Sequence, residues 1–466
     1  MDVRLIISAS RNLVLTFLLK EKEISEIKVE KRGKKRLSGS IFKGRVKRFA
    51  KSLDGAFVDI GIGKEAYLPL KAYENTALEE DESCPLPEEG SEILVQMKRE
   101  PIEDKGAKVT CRISIPGKFL VYLPTSKKVF VSSKIEDENR RAFFKELFER
   151  ALDEEGVIVR TSAEFATEEE LLAELQKLRN TWKEIKERSA SIKQGLVYEE
   201  VPAYVQLVRD YWNDVSEIIV DDRELWSELL AELESYFPEL VGKVRYVKNI
   251  SVFFKKYGLD KALTRLFARY VWLRNGGYII IEETEAMTVI DVNSGSGCGD
   301  TLEDNALQTN LEAAEEIVRQ IKLRDIGGIV IIDFIDMKNK KNREKLVKRV
   351  KELFADEGSK VHVYGITHLG LLELTRKKET PSVTRLLSIN CPYCKGKGYI
   401  KSPEVVLYEI EKEINYFKGR YLEVRVNPAL KERVENLIEK SNMRQWVSVK
   451  EECDVPLDYY EMFLTG

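Results

Sequence analysis

The chain is poor in imidazole, in regularly spaced thiols and in long apolar runs, and each shortage removes a class of function. Only two histidines, His362 and His368, occur in 466 residues, and they lie in one segment. Acid–base chemistry that needs an imidazole on each side of a reacting bond is therefore excluded, and both read as structural. Six cysteines show no regular spacing, which argues against a disulfide framework and for a reducing compartment, with the cytoplasm as the expected location. No apolar run approaches the roughly 20 residues of a membrane span. The apolar N-terminus is interrupted by Arg11 and Asn12 with no small-residue cleavage site after it, so it is not a signal peptide. A net charge of -3 excludes a uniformly basic surface, and any polyanion must be met by local patches.

At 466 residues the chain exceeds one compact core and divides into about three or more domains. Charge is unevenly placed: residues 31–51, KRGKKRLSGSIFKGRVKRFAK, hold ten Lys/Arg and no acid, whereas residues 78–92 are nearly the reverse. After two or three short strands in residues 1–30, the stretches SIFKGRVKRF, GAFVDIG, EAYLPL, SEILVQMKRE and AKVTCRISI predict a five-stranded OB-type barrel. More β-rich sequence (KFLVYLP, KVFVSS, GVIVRT) precedes a long charged helix from about Thr167 to Ser189. From Pro202 helices and strands alternate. A hairpin pair, GYIIIEE and AMTVIDV, leads through a Gly-rich loop to a helix ending at Gly327 and the apolar strand GGIVIIDFI. Apolar strands alternating with helices predict a sheet covered on both faces. Residues 401–466 predict a small αβ unit.

Two acids stand in otherwise apolar strands, Asp291 in MTVIDVNSG and Asp333 in GGIVIIDFIDM. An ionised carboxylate is costly there unless something pairs with it. Strand alternation puts Asp291 and Asn293 on one face. Both strands then end with oxygen ligands at one rim, which suits a hard Mg²⁺ that takes carboxylate oxygen and keeps waters. A lone aspartate more often bonds loop amides; two of them, with Asn293 and the NSGSGCGD loop, point to a metal. Asp336, three residues beyond Asp333, falls on the opposite face if the strand continues and is left out.

Phe57 and Tyr67, with Lys43, Arg45, Lys47 and Arg48 nearby, supply the rings and cations of a surface for single-stranded nucleic acid. Core packing is the alternative for either ring alone. Arg160-Thr161, at the end of GVIVRT, sets an Arg fork beside a hydroxyl, which suits a phosphate. The same residues could instead open a turn or cap a helix.

Through GAFVDIG with EAYLPL, IVRT, TVIDVNSG, TNLEAAEEIVRQIKLRDIGG, IVIIDFIDM, GLLELTRKK and CPYCKGKG, the chain resembles the bacterial ribonuclease E/G family over essentially its whole length. The resemblance implies an Mg²⁺-dependent endoribonuclease that hydrolyses single-stranded AU-rich RNA to 5′-phosphate and 3′-hydroxyl ends. It implies stimulation by a 5′-monophosphate and a role in rRNA and tRNA processing and mRNA decay. Asp291 and Asp333 would hold the Mg²⁺, with Asn293 positioning Asp291 or the scissile phosphate. Phe57, Tyr67 and Lys105 would grip the RNA, and Arg160 and Thr161, with the backbone around Gly117 and Val121, would form a 5′-phosphate sensor.

The implied architecture is an RNase H-like subdomain (1–35 and 206–270) carrying an inserted S1 (OB-type) barrel (36–112) and a 5′-sensor subdomain (113–205). A DNase I-like catalytic subdomain (271–390), a zinc-link (391–400) and a small αβ oligomerisation domain (401–466) follow. Three departures stand out: Tyr67 where Phe is common, an acidic loop at 77–92 that lengthens the barrel, and no long polar tail to recruit other RNA-decay enzymes.

CPYCKGKG, residues 391–398, spaces two thiols like a redox pair, but the glycines after the second sulfur favour a metal hairpin. Structural zinc takes four ligands, and only Cys391 and Cys394 are at hand, since Cys84, Cys111, Cys298 and Cys453 lack paired spacing. The same hairpin of a second chain would complete a shared Cys₄ site, and the resemblance adds pairing of such dimers into a homotetramer. Two rival functions are a non-catalytic S1 RNA-binding factor in ribosome assembly and a thiol oxidoreductase. The first would lack carboxylates in the downstream sheet. The second would need a helix after Cys394 and a thiol titrating well below about pH 8.

Overall fold

The computed structural model describes residues 2–33, 37–70, 88–101, 106–295, 301–377 and 380–465. The chain forms two units, Met1–Leu387 and Ser388–Gly466.

The first unit begins with an antiparallel meander of Val3–Ala9, Leu13–Lys20 and Glu23–Lys31, to which Val215–Val220 and Val244–Tyr246 add in parallel beside the first strand. Both faces of this sheet are buried: Leu5, Ile7 and Leu18 pack with the helices Ala203–Tyr211 and Arg223–Tyr236, and Ile6, Phe17 and Leu19 with Leu259–Leu266. Inserted between its strands is a closed barrel. Ile41–Ala50, Gly55–Asp59, Ala66–Pro69, Lys108–Thr110 and Glu92–Arg99 pair in that order, and the last returns to the first. Period-two alternation sends Ala56, Val58, Ala66 and Leu68 inward and leaves Phe57 and Tyr67 half-buried on the outside. Next comes a small sheet of Ile115–Pro116, Leu120–Leu123, Gly156–Val159 and Val129–Val131, flanked by the helices Glu138–Ala151 and Glu168–Ser191. The second of these starts at Thr167 in a reciprocal capping box with Glu170.

A six-stranded sheet completes the unit in the order Tyr270–Trp272, Tyr278–Glu283, Met287–Asn293, Gly328–Asp333, Leu372–Arg376, Val361–Ile366. Met287–Asn293 and Gly328–Asp333 run parallel, with the helix Leu302–Leu323 as their crossover. Ile279, Ile290, Val292, Val330, Ile332 and Leu374 pack against Ala313, Ile317 and Ile321 of that helix and Leu346 and Val350 of Lys340–Leu353. The expectation of a sheet covered on both faces fails here. The opposite face, with Tyr270, Trp272, Met287 and Ile329, is open, and Ile329 is 45% exposed.

In the second unit Leu422–Val426 lies between parallel Val447–Glu451 and antiparallel Tyr460–Leu464, under the helices Pro403–Tyr416 and Pro428–Lys440. Among the described residues no helix is long and apolar enough to cross a membrane. Cys111, read from sequence as unpaired, is disulfide-bonded, whereas Cys391, Cys394 and Cys453 are free. Cys84 and Cys298 lie outside the described residues.

Candidate active site

The two strands that carry the acids are neighbours, and their parallel register makes Asp291 and Asp333 direct cross-strand partners on the open face. They sit at the carboxyl ends of their strands, Asp291 half-buried and Asp333 exposed, so neither is an acid within the core. Asn293 Nδ2 donates to Asp291 Oδ2 at 2.8 Å. Partial burial, then the charges of Asp291 and Asp336, push the Asp333 carboxyl above its ordinary value. The strand stops at Asp333, so the offset that set Asp336 aside has no basis, and its charge acts on the same site. Among the described residues no group of three or more His, Cys, Asp or Glu is placed to hold a metal. Two carboxylate groups that repel one another and leave coordination positions for water fit a divalent hard cation.

The helix Leu302–Leu323 fixes both strand ends. Buried Asn310 clamps the backbone just past Asp333, donating to Ile335 O at 2.8 Å and accepting from Ile335 N at 3.0 Å. Its neighbour Thr309 accepts from Asn275 Nδ2 at 2.9 Å, and Glu312 accepts from Arg274 N, which anchors the turn before Tyr278. That turn lies against the end of the other strand: a Cβ on Gly277 would sit 2.7 Å from Asn293 O, and one on Gly295 would strike the Gly276 backbone. Glycine in DVNSG is therefore a requirement of close approach. Residues 296–300 of the NSGSGCGD loop lie outside the described residues.

On the barrel, Phe57 and Tyr67 are cross-strand partners with ring centroids 5.9 Å apart, and the Arg48 guanidinium stands 4.4 Å from the Phe57 centroid. Tyr67 OH donates to Leu53 O at 2.5 Å. Lys43 belongs elsewhere: its Nζ donates to Ser189 O and Ile192 O, both at 3.0 Å, closing the end of the helix Glu168–Ser191. Lys105 lies outside the described residues, as does the acidic loop up to residue 87. In the small sheet, Arg160 donates to Gly117 O at 2.7 Å and to Asp210 Oδ1 at 2.5 Å, and Thr161 shares a 2.9 Å hydrogen bond with Ser132. Val121 pairs with Ile158 and Pro116 within the strands. Glu174 accepts from the amides of Lys118, Phe119 and Leu120 at 2.5, 2.7 and 2.9 Å, which shapes the Gly117 loop that holds Arg160.

The sequence profile of the Ribonuclease E/G family matches residues 114–379. Ribonuclease G of Haemophilus influenzae is 34% identical over 93% of this chain and 92% of its own length. The chain belongs to the ribonuclease E/G family. Ribonuclease G of Escherichia coli strain K12 is 35% identical over 88% of this chain and 87% of its own length. Ribonuclease E of Haemophilus influenzae is 32% identical over 86% of this chain but only 44% of that protein. Family membership makes the chain an endoribonuclease, and the reading as a binding factor without catalysis falls.

Residues 392–396 of CPYCKGKG form turns, not the helix that a redox pair would need after Cys394. Lys395, Gly396 and Gly398 adopt positive φ, which curls the backbone so that Gly398 N donates to Cys394 Sγ at 3.3 Å. The amides of Gly398 and Gly396, and then Cys391, hold the Cys394 thiol below its ordinary value. Sequence reasoning missed Asn310, Glu174 and Asp210. For Asn310 a signal existed: an amide amid the apolar positions of TNLEAAEEIV implies a buried group with backbone to satisfy.

Proposed function

We propose that this endoribonuclease cleaves single-stranded, AU-rich RNA by Mg²⁺-dependent hydrolysis at Asp291 and Asp333, leaving 5′-phosphate and 3′-hydroxyl ends. The observation that carries the reading is the cross-strand pair of carboxylates on an open sheet face, in register and mutually repelling. When bound there, the metal supplies Lewis-acid polarisation of the scissile phosphate and a more acidic water. Asp291 and Asp333 provide the anionic oxygens, Asn293 orients Asp291, and Asn310 holds the backbone beyond Asp333. The open face gives a single strand access, and no side-chain base is required. Phe57 and Tyr67, with Arg48, stack and neutralise the RNA on the barrel, and Lys105 is assigned to the same surface.

Arg160 and Thr161, with the Gly117 and Val121 backbone, read a 5′-monophosphate and stimulate cleavage. The cellular role is rRNA and tRNA processing and mRNA decay in the cytoplasm. The turn at Cys391 and Cys394 offers half a tetrahedral zinc site, completed by a second chain to give a homodimer that pairs into a homotetramer. The subdomains follow the boundaries given by the resemblance.

The test is substitution at the pair. Asp291→Asn or Asp333→Asn should reduce cleavage by at least about a hundredfold while affinity for single-stranded RNA stays within about twofold, as expected for loss of metal-borne charge stabilisation. Undiminished cleavage by either variant overturns the assignment.

A further inference from the structure

Three aromatic residues of the six-stranded sheet stand outside its core. Tyr270 is 49% and Trp272 70% exposed, on the edge strand Tyr270–Trp272. Tyr278 lies on the next strand, half-buried. The ladder registers align these rings with the site. Trp272 pairs with Tyr278, which pairs with Asn293. One step along, Tyr270 pairs with Ile280, Ile280 with Asp291, and Asp291 with Asp333. Residues two apart share a face, so Tyr270, Trp272 and Tyr278 lie on the same open face as Asp291, Asn293 and Asp333. At the usual strand spacing, Trp272 stands about 10 Å from the Asn293 position in its row.

The rings form a cluster: Trp272 and Tyr278 centroids are 5.2 Å apart at 56°, and Tyr270 and Tyr278 are 5.8 Å apart at 57°. Tilted in this way, they are not stacked on one another, and ring face remains for a planar ligand. An edge strand that exposes a tryptophan and a tyrosine carries a contiguous apolar patch that monomers rarely leave without a use. Arg274, two residues beyond Trp272, is exposed, and no ion pair engages its side chain among the described residues, so it adds a cation for a phosphate beside the rings.

We propose that Trp272, Tyr278 and Tyr270 form a base-stacking platform that holds the unpaired nucleotides next to the scissile phosphate, separate from Phe57 and Tyr67 on the barrel. The occupant is single-stranded RNA because the patch continues the rows that hold the carboxylates, and because every base offers a π-face to such rings whatever its identity. The platform rests on the reading of Asp291 and Asp333 as the cutting pair. It fixes the strand on the edge side of the cut while Asp291 and Asp333 act on the phosphate.

The experiment uses a single-stranded oligonucleotide with 2-aminopurine next to its cleavage site, bound to the full chain carrying Asp291→Asn so that the RNA stays whole. Binding should quench the 2-aminopurine. Adding Trp272→Ala should remove most of the quenching and weaken binding about tenfold, and Trp272→Phe should restore both. In the otherwise unchanged enzyme, Trp272→Ala should raise KM far more than it lowers kcat, a split that a merely structural role would not give. Full cleavage by Asp291→Asn overturns the site reading and the platform with it. Loss of cleavage in Asp291→Asn, with affinity and quenching unchanged by Trp272→Ala, overturns the platform alone.

Discussion

Arg160 already has two partners, the carbonyl of Gly117 and the carboxylate of Asp210, so a phosphate that binds there must compete with a negative charge. Asp210 occupies the last turn of the helix Ala203–Tyr211, where the macrodipole disfavours an anion, and Arg160 offsets that cost. If Arg160 senses 5′-phosphate, Asp210→Asn keeps an acceptor but removes the competing charge. The ratio of cleavage rates on 5′-monophosphate and 5′-hydroxyl oligonucleotides should then rise about two- to fivefold, the range of an exposed ion pair. Arg160→Ala should bring the ratio to about one, and a ratio indifferent to that change removes the sensor. At this scale candidate residues could be singled out where a motif holds them together, as with Arg160-Thr161 and Asp291 with Asn293. Partners supplied by a distant element were not: Asp210 is 50 residues from Arg160. Lys43 shows the converse, a cation in a basic run that proved to close a helix rather than to face a phosphate.

Among elements, the barrel and the long charged helix were readable because alternation and a capping box are local signals. The helix Glu138–Ala151 was not read, since its buried Phe144, Leu147 and Phe148 are spaced through a strongly charged segment that sits among β-rich neighbours. The open face of the six-stranded sheet was hidden for a different reason. Val289, Ile280 and Ile331 on that face are as apolar as Ile290 and Val330 beneath the helices, so composition could not tell a covered side from a bare one. The CPYCKGKG turn is the opposite case, in which two cysteines and two glycines fix the backbone locally. On the proposal that each chain gives two thiols to a shared tetrahedral zinc, the purified protein should contain about one zinc per two chains, and Cys394→Ser should lose that zinc and lower the assembly state in sedimentation. A full equivalent of zinc per chain would count against sharing.

The first unit as a whole is joined by charge as well as by apolar packing. Asp325, just past the end of the helix Leu302–Leu323, receives Arg376 of the strand Leu372–Arg376 at 2.8 Å and Lys28 of the strand Glu23–Lys31 at 3.3 Å, and Arg376 also meets Glu357 at 2.6 Å. The cluster thus ties the first sheet to the six-stranded one. Burial alone would raise the Asp325 carboxyl, but Lys28 and Arg376 outweigh it and hold it down at about 2. A carboxyl depressed in the folded state stabilises the fold above its unfolded value near 3.8, and that contribution is lost as pH falls toward about 2. At about 1.4 kcal/mol per unit, the contribution at neutral pH is about 2 kcal/mol. Asp325→Asn isolates it, since asparagine tolerates the positive φ of 52° at this position. Denaturant melts of both proteins should show the variant less stable at pH 7 and the gap narrowing steadily between about pH 4 and pH 2. Once the parent's Asp325 is protonated, Lys28 and Arg376 lose their anion there as they do in the variant, so the charge part of the gap disappears at low pH and only a packing difference remains. A gap that stays constant from pH 7 to pH 2 would therefore leave packing as the whole effect, and the depressed carboxyl with its two cations as no part of it.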